Sequence, residues 1–150
     1  MGRAPMPRPG EWTLETARAA LPDVRQAVEE ARGHLAAMKA CEEQLQDLRT
    51  VHGEQVLALA SPGHAEFKAW LERYHTARHH LEGVLLRTTQ MGVEVKDVAR
   101  GLVDFRGMVG DRPAYLCWID GEPDIQHWHP LDEGFAGRRR LPPLLGQEGL

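Results

Sequence analysis

Residues 92–140 read GVEVKDVARGLVDFRGMVGDRPAYLCWIDGEPDIQHWHPLDEGFAGRRR, and their pattern decides the fold. The runs LVDF, AYLCWI and IQHWH are short, rich in β-branched and aromatic residues, and bounded by Gly, Pro or Asp. Asp120 and Gly121 form a hairpin-turn signal, extended or followed by Glu122 and Pro123. The expectation is a small antiparallel sheet of two or three strands near the C-terminus. Two strands alone are marginal in water, so the sheet needs helical cover.

That cover comes from upstream. Thr13 is a candidate N-cap, and Leu14, Ala17 and Leu21 follow at helical spacing. Pro22 costs about 3 kcal/mol inside a helix but little in a first turn. The economical reading is therefore a short helix over 14–20 and a long one from Pro22, with a single kinked helix as the alternative. Val24, Val28, Ala31, Leu35 and Met38 alternate steps of four and three, a coiled-coil-like seam that slips to Cys41, Leu45 and Leu48. His52 and Gly53 make a first stop, although residues 54–60 could prolong the helix. Ser61 as N-cap and Pro62 as first helical residue restart the chain. The second helix then runs to about Gln90, burying Phe67, Trp70, Leu71, Tyr74, Leu81, Val84 and Leu85. Joined by a short connection, the two helices should lie antiparallel. The expected class is α+β, mostly α: a long helical hairpin over 12–91 and a sheet region over 92–140, together one domain. Residues 1–11 read as a flexible arm and 141–150 as a loose tail.

The chain's 150 residues suit one domain, with 42% hydrophobic residues, 27% charged and a net charge of −4. That balance gives no general pull toward nucleic acid or an anionic membrane. No apolar run approaches the roughly 18 residues of a transmembrane helix, and the first residues lack the apolar core of a secretory signal. The expectation is a cytoplasmic protein with Cys41 and Cys117 as free thiols.

GVEVKDVARGLVDF, LCWIDGEPDIQHWH and GFAGRR resemble the C-terminal signature of an uncharacterised bacterial group, domain-of-unknown-function family 2203. WTLETARAALPDVRQ is similar to that family's N-terminal pattern, so the resemblance runs from Trp12 to Arg140. It implies a small cytoplasmic bacterial protein and supplies no functional residues.

Among residues that could carry chemistry, His127 and His129 come first. Alternate residues of a strand share a face, about 7 Å apart, a spacing that suits two ligands of one divalent transition metal such as zinc. With a turn of two or four residues, Leu116 and Trp118 would share that face and Cys117 would point away. Asp104, Asp132 and Glu133 are then the better completing ligands. The alternative is two ordinary folded-state histidines, one on a backbone carbonyl and one against an aromatic ring. Asp97, Asp104, Asp120, Glu122 and Asp124 offer acid–base chemistry, but caps and turns account for several of them. His75 and His79, one helical turn apart, sit beside Arg73 and Arg78, which favours a solvated face over metal capture. Arg138, Arg139 and Arg140, with Trp118, Trp128 and Tyr115, could form an anion or nucleic-acid patch. Asp132, Glu133 and the acidic balance argue against it. The sequence contains no GxSxG, P-loop, dinucleotide-binding glycine pattern or HExxH. The leading expectation is accordingly a non-enzymatic binding or protein-interaction protein, with a homodimer or partner engaged through the hairpin. A metal-binding protein or metal-dependent enzyme is the first alternative, and nucleic-acid binding the second.

Overall fold

A computed structural model of the chain describes residues 7, 8 and 10–142. Most of the two segments expected to be a loose arm and tail lies outside the described residues. Two long helices, α1 (Leu14–His52) and α2 (His64–Gln90), precede a sheet of strands β1 (Glu94–Asp97), β2 (Leu102–Val109), β3 (Arg112–Ile119), β4 (His127–Pro130) and β5 (Arg139–Arg140). The strands pair antiparallel in sequence order. The sheet thus has five strands rather than two or three. β1 carries the sequence EVKD and β5 only two arginines, neither with an apolar alternation to announce it.

The chain forms two compact units. One comprises the described residues up to Val28 and from Arg87 onward; the other is Glu29–Leu86. In the first unit, Ala17, Ala20, Leu21, Val24 and Val28 of α1 join Val103, Phe105, Leu116, Trp118 and Ile125 in one buried cluster. These positions recur at helical spacing on α1 and at alternate positions on β2 and β3, so one helix stripe covers one sheet face. Thr13 and Thr16 start α1 by mutual capping: each backbone N–H donates to the other's hydroxyl, at 2.9 and 3.1 Å. Contrary to the two-helix reading, α1 passes through Pro22 without ending. Pro22 is exposed while Leu21 and Val24 are buried, so the packed stripe offsets the lost hydrogen bond.

The residues just before α1 are tied down. Trp12 is fully buried, donates from its indole to the Gly92 carbonyl at 2.8 Å, and meets Phe105 edge-on at 5.1 Å. Its backbone continues the sheet edge beside β2, where the Met108 N–H donates to the Trp12 carbonyl at 3.0 Å. A Cβ on Gly107 would lie 1.8 Å from that carbonyl oxygen, so only glycine admits this approach.

In the second unit the helices run antiparallel. His34 faces His80, whereas Arg49, later in α1, faces Phe67, earlier in α2. α1 ends at His52, and a 3₁₀ turn over Glu54–Leu57 follows instead of further α-helix. Ser61 and Pro62 fall in the turn; α2 begins at His64, with the Gly63 carbonyl accepting its first hydrogen bond from Phe67. Gly63 has φ +85°, and a Cβ there would meet the His52 ring at 2.5 Å. The glycine therefore displaces the expected cap. No described helix is long and apolar enough to cross a membrane.

Candidate metal centre

The sheet face away from the α1 stripe is polar yet closed. Direct cross-strand partners share a face, and here Asp104 opposes Cys117, Cys117 opposes His127, and Tyr115 opposes His129. Asp104, Cys117 and His129 are 3%, 0% and 2% exposed. Their ligand atoms, a carboxylate oxygen, a thiol sulfur and an imidazole nitrogen, all lie within 4.8 Å of one another. The expectation that Cys117 points away from the histidines is therefore overturned. Residues 120–126, between β3 and β4, are odd in number rather than two or four, and an odd connection inverts which residues share a face.

Hydrogen bonds orient His129. Its Nδ1 is 3.0 Å from the Pro130 carbonyl oxygen, which can only accept, so Nδ1 carries a hydrogen. Nε2 is 3.0 Å from Asp104 Oδ2, and a contact this short between nitrogen and carboxylate needs a proton between them. The other Asp104 oxygen, Oδ1, is buried and has no hydrogen-bond partner among the described residues. Burial, then the neighbouring Asp104 carboxylate, push the Cys117 thiol up to about 12, with Arg138 opposing them. Both nitrogens of His129 are engaged, so this imidazole is not free to take the thiol proton.

The donor set fits a borderline transition metal. Zinc bonds of ~2.0–2.3 Å place tetrahedral ligand atoms roughly 3.3–3.8 Å apart, so a cluster whose ligand atoms lie within 4.8 Å of one another would need to close around an ion by no more than about 1.5 Å. A histidine whose second nitrogen donates to a backbone carbonyl is held in the orientation and tautomer that metal ligation requires.

A second polar group adjoins the first. Glu122 Oε1 accepts from the Ile119 N–H at 2.9 Å and from Arg138 Nη2 at 2.6 Å. Arg138 Nη2 also donates to the Cys117 carbonyl at 3.3 Å. Burial raises the Glu122 carboxyl, but hydrogen bonds from Arg138 and Ile119 outweigh it and hold the group below its usual range. His127 Nδ1 sits 3.1 Å from Glu122 Oε2, an ion pair when the ring is protonated, and this buried nitrogen makes no hydrogen bond among the described residues. Burial and the Arg138 charge depress the His127 imidazole, only partly countered by Glu122.

Of the five residues named as candidate metal ligands, the fold brings His129 and Asp104 together, while Asp132 lines a separate groove with Glu133. His127 turns to Glu122 instead. Glu133 pairs with Arg139 at 3.3 Å and lines a separate groove of about 950 Å³ with Trp128 and Arg139. Cys117 replaces it in the cluster. The arginine run is divided: Arg138 is inside, against Glu122, while Arg139 and Arg140 are exposed and Arg139 covers Trp128 at 5.3 Å. Trp118 is fully buried and donates to the Glu122 carbonyl, so it offers no stacking surface beside them. Asp97 caps a turn through the Arg100 N–H, and Asp124 pairs with Arg18. Cys117, set aside on strand alternation, is the residue of the cluster that the sequence reading missed.

The molecule is thus an α+β protein with a five-stranded antiparallel meander whose buried polar face gathers an acid, a thiol and an imidazole. The chain belongs to the family of uncharacterised conserved proteins DUF2203, whose model matches residues 11–141. No curated protein and no solved structure matches it.

Proposed function

We propose that this is a metal-binding protein, with one divalent transition metal of the zinc class held by Asp104, Cys117 and His129. The observation that carries the reading is Asp104 Oδ1, a buried carboxylate oxygen with no hydrogen-bond partner among the described residues, in a cluster of three potential ligand groups. Leaving such an acceptor unsatisfied costs about 1–3 kcal/mol or more, which a bound cation would recover. His129, already turned by Pro130, would supply Nε2; Cys117 would supply a thiolate after losing its proton. The metal would contribute Lewis acidity at any open coordination position.

Equilibrium dialysis of the full chain against zinc tests this. The expected result is one ion per chain, with His129→Ala and Cys117→Ser each weakening binding by about a hundredfold or more. A wild-type chain that takes up no metal, or variants that bind equally well, would overturn the reading.

A second role for the helical unit, contact with another protein or a second copy, is favoured by Val51, Leu57 and Leu59. These side chains are 75%, 52% and 86% exposed at the connection between α1 and α2. Sedimentation across a concentration range checks it: a monomer throughout, with no partner co-purifying, counts against it.

A further inference from the structure

Arg138 occupies an unusual place for a guanidinium. Its side chain is 12% exposed, its Nη2 serves both Glu122 Oε1 and the Cys117 carbonyl, and the Phe135 ring lies 5.0 Å from Cζ. Nε is buried and donates to nothing among the described residues. The guanidinium is close enough to the Cys117 side chain to favour its thiolate. A buried N–H donor with no geometric hydrogen-bond partner among the described residues therefore stands beside one of the three proposed ligands, close enough to interact with the Cys117 sulfur.

Three protein ligands leave at least one position of a tetrahedral ion open. An oxyanion suits both needs, because one oxygen can complete the metal shell while another accepts from a guanidinium N–H. Charge chooses among oxyanions. Glu122 already neutralises Arg138, and Asp104 with a Cys117 thiolate would neutralise a divalent ion, so a monoanion leaves less uncompensated charge here than a dianion would. We propose that the site binds a small carboxylate, with one oxygen on the metal held by Asp104, Cys117 and His129 and the other on the Arg138 Nε–H. This rests on the metal reading above and extends it to a ligand class.

The test uses the full chain loaded with cobalt(II), whose visible bands report its coordination shell. Acetate should shift those bands saturably, and acetamide, of similar shape but neutral, should not. Arg138→Lys keeps the positive charge but removes the Nε–H. It should weaken acetate by about tenfold or more while changing cobalt affinity by less than about threefold. In the zinc-loaded wild type labelled with ¹⁵N-arginine, the Arg138 Nε–H resonance should move with acetate, a readout that needs no variant.

A chain that takes up no cobalt fails at the metal reading, and the carboxylate proposal falls with it. Cobalt bound but bands indifferent to acetate overturns the carboxylate proposal alone. Equal acetate affinity in Arg138→Lys, or an Arg138 resonance that does not move, removes Arg138 from it. Phosphate binding more tightly than acetate overturns the choice of a carboxylate.

Discussion

Burial pushes the Cys117 thiol up to about 12, so without a metal it keeps its proton throughout the neutral range. A second proton lies between His129 Nε2 and Asp104 Oδ2. Metal ligation needs both lone pairs and the thiolate, so binding should release about two protons per ion, and affinity should rise steeply with pH. Proton release on adding zinc to weakly buffered protein measures this; release near zero would exclude thiolate ligation. The neighbouring pair sets the pH dependence of stability. In the fold, His127 is depressed from 6.5, so below about that pH the unfolded chain takes up a proton that the folded chain does not. Glu122 is held below 4.5, and its contribution, present above that value, is lost as pH falls through the lowered one. Both act in the same direction: stability should decline from pH 7 towards pH 4. His127→Gln should remove the first part of that decline, read as denaturation midpoints at pH 7 and pH 5. Identical midpoint shifts in the two proteins would contradict the assignment. At this scale the sequence pointed to His129 and Asp104, which the fold brings together, but set Cys117 aside in favour of Asp132 and Glu133. The face on which Cys117 lies depends on the parity of a connection, and the turn residues Asp120 and Gly121 do not reveal where β4 begins.

Among the elements, the helices were the more legible because periodicity repeats over many turns. Val24, Val28, Ala31, Cys41 and Leu48 are all buried, as their spacing anticipates. Local signals misled at Pro22 and at Ser61–Pro62, where tertiary packing and the close approach of His52 to Gly63 decided the outcome. The same comparison makes Pro22→Ala a test. Removing the proline recovers about 3 kcal/mol of helix cost but loses roughly 0.4–1 kcal/mol of chain stiffening, a net gain of about 2 kcal/mol. Thermal denaturation should show a higher midpoint, and an unchanged or lower one would mean that the helix depends on the proline. Gly107→Ala should do the reverse. A methyl group there collides with the Trp12 backbone, so the indole must leave its site, costing about the 3–5 kcal/mol of a lost buried tryptophan. A red-shifted tryptophan emission with a lowered midpoint is expected, and wild-type emission would contradict the packing. The short strands β1 and β5 stayed hidden because four and two residues, respectively, are too few to show a period.

For the whole molecule, the ligand cluster lies in the unit that contains the sheet, and the exposed apolar residues Val51, Leu57 and Leu59 lie in the helical unit. The two proposed roles are therefore separable. Leu57→Lys combined with Leu59→Lys should abolish any self-association seen by sedimentation while leaving zinc stoichiometry at the wild-type value; a loss of zinc would tie the roles together. Membership of an uncharacterised family adds no chemistry, so the claim of a metal centre stands on the buried acid, thiol and imidazole. X-ray absorption at the zinc edge of the loaded full-length protein tests that claim most directly. One sulfur at ~2.3 Å with nitrogen and oxygen neighbours at ~2.0–2.1 Å is expected, with loss of the sulfur shell in Cys117→Ser. A zinc shell of nitrogen and oxygen alone in the wild type would contradict it.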